Sequence, residues 1–134
     1  GIFMTVDCDW PPVCHWQAEA AYLSLRQKEQ ELEGKFPALR EAFVRFPKER
    51  HLQNIQESGQ FRYTREILFA NRENCSAQRL CRLVLSQGGI QAILRLYPEK
   101  IQEEIRQFQE TVGQLYGKSH FPVEFCYRMR MGIK

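Results

Sequence analysis

The last twelve residues, Val123-Glu124-Phe125-Cys126-Tyr127-Arg128-Met129-Arg130-Met131-Gly132-Ile133-Lys134, alternate without a break. Val123, Phe125, Tyr127, Met129 and Met131 fall on one side; Glu124, Cys126, Arg128 and Arg130 fall on the other. Successive side chains of a strand point to opposite faces, so the pattern predicts a β-strand with one buried face. A strand cannot satisfy its own backbone and needs partners. Two other stretches can supply them: residues 2–6 (Ile2-Phe3-Met4-Thr5-Val6) and residues 61–70, where Phe61, Tyr63, Ile67 and Phe69 share a face. The rest reads as helix. The chain is therefore expected to build a small sheet that its last strand completes.

The helices follow from spacing and punctuation. Residues 13–33 place Trp16, Ala20 and Leu23 at helical intervals, with Ala18, Tyr22 and Leu25 beside them. The charged half, residues 26–33, is expected to project from the body, and Gly34 to end the helix. Pro37 opens a short helix through Leu39, Ala42 and Phe43. Pro47 opens another, with Leu52 and Ile55 inward and Gly59 as its C-terminal cap. Residues 71–74 read as a turn, with Asn74 or Ser76 as the next N-cap. Ser86-Gln87-Gly88-Gly89 interrupts the helix that follows. Pro98 opens the cleanest one, where Ile101, Ile105, Phe108, Val112 and Leu115 form a narrow stripe that Gly117 closes.

One hundred and thirty-four residues, 43% of them hydrophobic, suit a single domain, 1–134, with a buried core. No apolar run reaches the roughly 20 residues of a membrane span, and no signal peptide is read at the start. A net charge of +3, with Lys and Arg interleaved with Glu, is too mild and scattered for a nucleic-acid surface. Arg128 and Arg130 also face away from Tyr127, which argues against a stacking platform. The five cysteines include no CxxC pair and read as reduced thiols of a cytoplasmic protein. Cys8, Cys14 and His15 lack a fourth ligand of sensible spacing, so no metal site is expected.

Motifs for phosphate cradles, dinucleotides, nucleophile elbows and zinc proteases are absent. His15, His51 and His120 have no fixed carboxylate spacing, and no catalytic residue is assigned. Two stretches stand out. Asp7-Cys8-Asp9-Trp10-Pro11-Pro12 follows a strand at its carboxyl end, where open α/β sheets bind ligands. Its carboxylates and indole either line a pocket, or cap a turn and fill core. Ser86-Gln87-Gly88-Gly89 either presents amides to a ligand or lets two helices pack. Packing is favoured, because glycine most often answers a backbone need.

The order of these motifs resembles a known family. The strand with its DxDWPP loop, then HLQNIQESGQFRYTREI, then LVLSQGGIQAIL and a closing YRMRMGIK strand are similar to the C-terminal part of Rossmann-like (class I) S-adenosylmethionine-dependent methyltransferases. The likeness covers essentially the whole chain. It implies an α/β fold, α+β in appearance. A small three-stranded mixed sheet would have the order first–last–middle, the last strand antiparallel, under about five helices. Helical insertions would occupy about 13–58 and 74–117. The family's glycine-rich cofactor loop and ribose-binding acid have no counterpart in these residues. The resemblance thus implies a truncated, substrate-side region that binds no S-adenosylmethionine alone, so whether the chain is an enzyme stays open. It places a small-molecule substrate near Asp7, Asp9, Trp10 and Trp16, with Arg65, Ser86, Gln87 and Gly88 close by. It also leaves Ile2-Phe3-Met4-Thr5-Val6 as an open strand edge, expected to pair with a second copy or a companion chain. The alternative function is a non-catalytic protein-interaction module, carried by the amphipathic helix of residues 98–117 and the polar projection of residues 26–33.

Overall fold

The computed structural model describes every residue from Gly1 to Lys134. In chain order it contains β1 (Ile2–Cys8), α1 (Trp16–Lys35), α2 (Pro37–Ala42), α3 (His51–Glu57), β2 (Tyr63–Ser76), α4 (Ala77–Leu85), α5 (Gly88–Leu96), α6 (Gln102–Tyr116) and β3 (His120–Ile133). Short 3-10 turns at Lys48–Arg50 and Pro98–Lys100 lead into α3 and α6. The strands form one sheet of order β1-β3-β2. This is the expected first–last–middle order. β1 and β2 run the same way but are never neighbours, so each adjacent pair is antiparallel rather than mixed. Six α-helices accompany the sheet.

Contacts divide the chain into two compact units. One comprises Gly1–Pro12, Phe46–Glu73 and Glu124–Lys134; the other comprises Val13–Arg45 and Asn74–Val123.

The first unit is a sheet with a thin cover. The β1–β3 register pairs Ile2 with Ile133, Met4 with Met131, Val6 with Met129 and Cys8 with Tyr127. Phe3, Thr5 and Asp7 sit opposite Gly132, Arg130 and Arg128 on the other face. Gly132 answers a packing need: a Cβ there would lie 2.6 Å from the Phe61 ring and 2.9 Å from Ile55. Gly59 ends α3 with φ +64°, the left-handed conformation that glycine adopts without strain.

The second unit holds most of the apolar core. Ile101, Ile105, Phe108 and Val112 of the α6 stripe are buried, as their spacing predicts. Each large apolar side chain of that stripe removed from water contributes about 1.5–3 kcal/mol, and the Gln, Glu and Arg of the outer face are themselves good helix formers. α6 packs on α1 and α4, and α5 on α1 and α2. Ser76 is the N-cap of α4 and accepts from the Arg79 amide at 3.2 Å.

Five expectations are corrected. In α1 the buried row is Ala18, Tyr22, Leu25, Glu29 and Leu32, whereas Trp16 and Leu23 are 70% and 56% exposed. Residues 26–33 therefore do not project: ion pairing of Glu29 with Arg26 and Arg45 lets a charged residue join the packed row. Gly34 does not end α1, which runs to Lys35; Phe36 leaves the helical region because Pro37 follows it. The turn expected at 71–74 is strand, since β2 continues to Ser76 and pairing along a long strand overrides local turn propensity. Finally, β3 does not bury one face throughout. Phe121, Val123 and Phe125 are buried, but further on the buried positions are Arg130 and Gly132. There an ion-pair layer and the Phe61–Ile55 cover take the even face and leave Met129 and Met131 on the row of Met4 and Val6.

Candidate functional site

The sheet order decides which charges meet. β3 carries Arg128 and Arg130 two residues apart, so both lie on one face. Its two neighbours present acids to that face, Asp7 and Asp9 from β1 and the segment after it, and Glu66 from β2. Arg130 Nη1 donates to Asp7 Oδ2 and Arg130 Nε to Glu66 Oε2, each at 2.8 Å. Arg128 Nη1 donates to Glu66 Oε1 at 2.9 Å and Arg128 Nη2 to Asp9 Oδ2 at 3.3 Å. Lys48 Nζ lies 3.0 Å from Asp7 Oδ1. The result is an alternating chain: Lys48, Asp7, Arg130, Glu66, Arg128, Asp9. Each arginine reaches the acid diagonal to it, Arg130 to Asp7 on β1 and Arg128 to Asp9 just past its end, a distance long side chains span readily.

These side chains, with Cys8 and Glu49, line a cleft of about 460 Å³ within the sheet unit. Its floor is the Arg130 guanidinium, 5% exposed, and its rim is the half-exposed Asp9 and Arg128. The hydrogen bond from Arg130, joined by that from Arg128, holds the Glu66 carboxyl below its usual range. Asp9 above all, then Glu66, raises the Arg128 guanidinium further. Burial, then the neighbouring Asp9, pushes the Cys8 thiol up, so it is a poor nucleophile at neutral pH. The cleft offers fixed charges of both signs and suits a small polar or zwitterionic molecule. No cluster of three or more His, Cys, Asp or Glu side chains is placed to hold a metal ion.

The residues singled out from sequence are dispersed. Asp7 and Asp9 line the cleft. Trp10 is half-buried beside them in sequence and precedes the cis Trp10–Pro11 bond. Arg65 is exposed on β2, one residue from Glu66 and hence on the opposite face. Trp16 starts α1 in the helical unit and stacks on His15 with ring centroids 5.9 Å apart. Ser86, Gln87 and Gly88 also belong to the helical unit. There Ser86 Oγ donates to the Leu83 carbonyl at 2.7 Å, and Gln87 Oε1 accepts from the Tyr22 hydroxyl at 3.2 Å.

The two glycines of that turn have packing roles. A Cβ on Gly88 would overlap the Phe43 ring, and one on Gly89 would overlap the Glu29 carboxylate and Arg45. The buried Glu29 thus brings an internal anion to the start of α5, where the helix dipole favours one.

Lys48, Glu66, Arg128 and Arg130 were not among the residues expected at a site. Their signal was present in the strand phases: paired arginines on the central strand, and acids in step on both flanks. It becomes readable only when the order first–last–middle is combined with the two-residue period.

No protein-family model matches the chain, and no curated protein matches it. No helix is long and apolar enough to cross a membrane.

Proposed function

We propose that the chain is the substrate-side, C-terminal region of a methyltransferase-like domain, and that the cleft floored by Arg130 receives a small polar substrate. The observation that carries this reading is the order β1-β3-β2 with the closing strand antiparallel between the other two, joined to a DxD pair at the carboxyl end of β1. Asp7 and Asp9 would orient the substrate's cationic or hydroxyl groups, and Arg128 its anionic ones.

The residues present do not fit S-adenosylmethionine. The adjacent glycines Gly88 and Gly89 are filled by Phe43 and by Glu29 with Arg45, and so form no cradle. The chain alone is therefore expected to bind no cofactor and to transfer no methyl group. Titration calorimetry with S-adenosylmethionine should register no heat of binding; tight binding would contradict the assignment. The coding sequence upstream of Gly1 is the second test. A continuous frame with a strand followed by GxGxG supports the reading, and an in-frame stop at that junction sinks it.

A non-catalytic interaction module is the competing reading. It is favoured by the mutual pairing of the cleft's charges and by the exposure of Ile2, Met4 and Val6, at 54–62%. Retention of Asp7→Asn, Glu66→Gln chain on an affinity matrix as firmly as wild type would favour this module over a ligand cleft. On either reading the β1 edge takes a companion strand, from a second copy or another chain, in a cytoplasmic setting.

A further inference from the structure

We propose that two copies of this chain pair along β1, antiparallel about a two-fold axis through Thr5, to make one continuous six-stranded sheet. This does not rest on the methyltransferase reading.

The backbone supplies the first argument. Lys134 donates to the Gly1 carbonyl at 3.0 Å, and Asp9 donates to the Cys126 carbonyl at 2.8 Å. In an antiparallel ladder a residue turns its N–H and C=O to the same side, and the side alternates. The odd residues of β1 thus bond β3, while Ile2, Met4, Val6 and Cys8 direct both groups to the open edge. In the register centred on Thr5, Ile2 faces Cys8 of the partner subunit and Met4 faces Val6 of the partner subunit. Every outward group then has its mate.

Side chains supply the second argument. The Thr5 hydroxyl is buried without a hydrogen-bond partner. On the axis, Thr5 faces the partner's Thr5 as a non-hydrogen-bonded pair, the closer kind. A staggered step about χ1 brings the two hydroxyls together. No like charges meet, because Asp7 falls opposite Phe3 of the partner subunit.

The third argument is a contrast between the sheet's two edges. Exposed strand edges are normally guarded by charge or proline. The β2 edge carries Arg65, Glu66, Arg72 and Glu73. From Ile2 to Val6 the β1 edge carries none, and Ile2, Met4 and Val6 are each more than half exposed.

Sedimentation velocity across a dilution series tests the proposal. The expected result is a dimer at twice the 15.9 kDa chain mass, with amides of Ile2, Met4, Val6 and Cys8 gaining exchange protection as it forms. Val6→Pro removes an outward N–H that β3 does not use, and should raise the dissociation constant at least about tenfold with unchanged circular dichroism. Met4→Lys, which guards the edge without touching the backbone, should do the same if the proline variant misfolds. A monomer throughout overturns the proposal. So does a dimer that either folded variant leaves intact, or edge amides equally protected at every concentration.

Discussion

Arg130 is the most buried cation of the cleft, and its dependence on two acids makes a sharp test. Its side chain is 5% exposed and is held by Asp7 on one flank and Glu66 on the other. Removing either acid as its amide leaves one carboxylate in place. Asp7 and Glu66 are 16% and 30% exposed, so water compensates part of the loss, and each single change should cost about 1 kcal/mol. Removing both strands a buried guanidinium, for which roughly 3–5 kcal/mol is typical. The double variant Asp7→Asn, Glu66→Gln should therefore lose about 2 kcal/mol more than the sum of its parts, within the usual range for coupled neighbours. Urea unfolding followed by tryptophan fluorescence reads this directly. A total of about 4 kcal/mol lowers the midpoint by about 2 M for a chain of this size. The internal control is Arg130→Met, which removes the buried charge, so that the same pair of acid changes should become nearly additive. Additivity within about 0.5 kcal/mol in the wild-type background, or equal coupling in the Arg130→Met background, would refute the reasoning.

Three further outcomes follow from the same geometry. Glu29 is fully buried between Arg26 and Arg45, so Glu29→Ala should cost about 3–5 kcal/mol and loosen the start of α5, seen as faster amide exchange from Ile90 onward. Gly132→Val should destabilise the sheet unit by about 1–3 kcal/mol through overlap with Phe61 and Ile55, and Phe61→Ala should relieve part of that cost in a double variant. Burial pushes the Cys8, Cys14 and Cys81 thiols above their ordinary value, so they ionise more readily once unfolded. Their contribution is complete below about pH 8.5 and is lost as pH rises through the folded values. The urea midpoint should therefore fall from pH 8 to pH 10, and a rise would contradict the assignment. Glu66, held low by Arg130, acts with the opposite sign: its contribution is present above the ordinary carboxylate range and is lost as pH falls through its folded value.

Local chemistry alone determined a good deal of this protein. The two-residue period located β3. Prolines at 37 and 98 and glycines at 59 and 117 marked where helices or their leading turns begin and end. The 3.6-residue stripe of α6 named its buried face correctly. These features survive because each is decided by residues within a few positions of one another. Other outcomes belong to tertiary structure, because they depend on groups far apart in sequence. Glu29 sits in the core with Arg45, sixteen residues away, joining its helical neighbour Arg26 in pairing its charge. β2 runs on through a turn-prone Asn-Arg-Glu-Asn segment because strand pairing outweighs local preference. The buried face of β3 changes from odd to even positions because Asp7 and Glu66 cover its arginines while nothing covers its methionines as fully. The cleft shows both levels at once. The alternation of each strand set which acids and arginines share a face, but only the order β1-β3-β2 put the arginines between the acids.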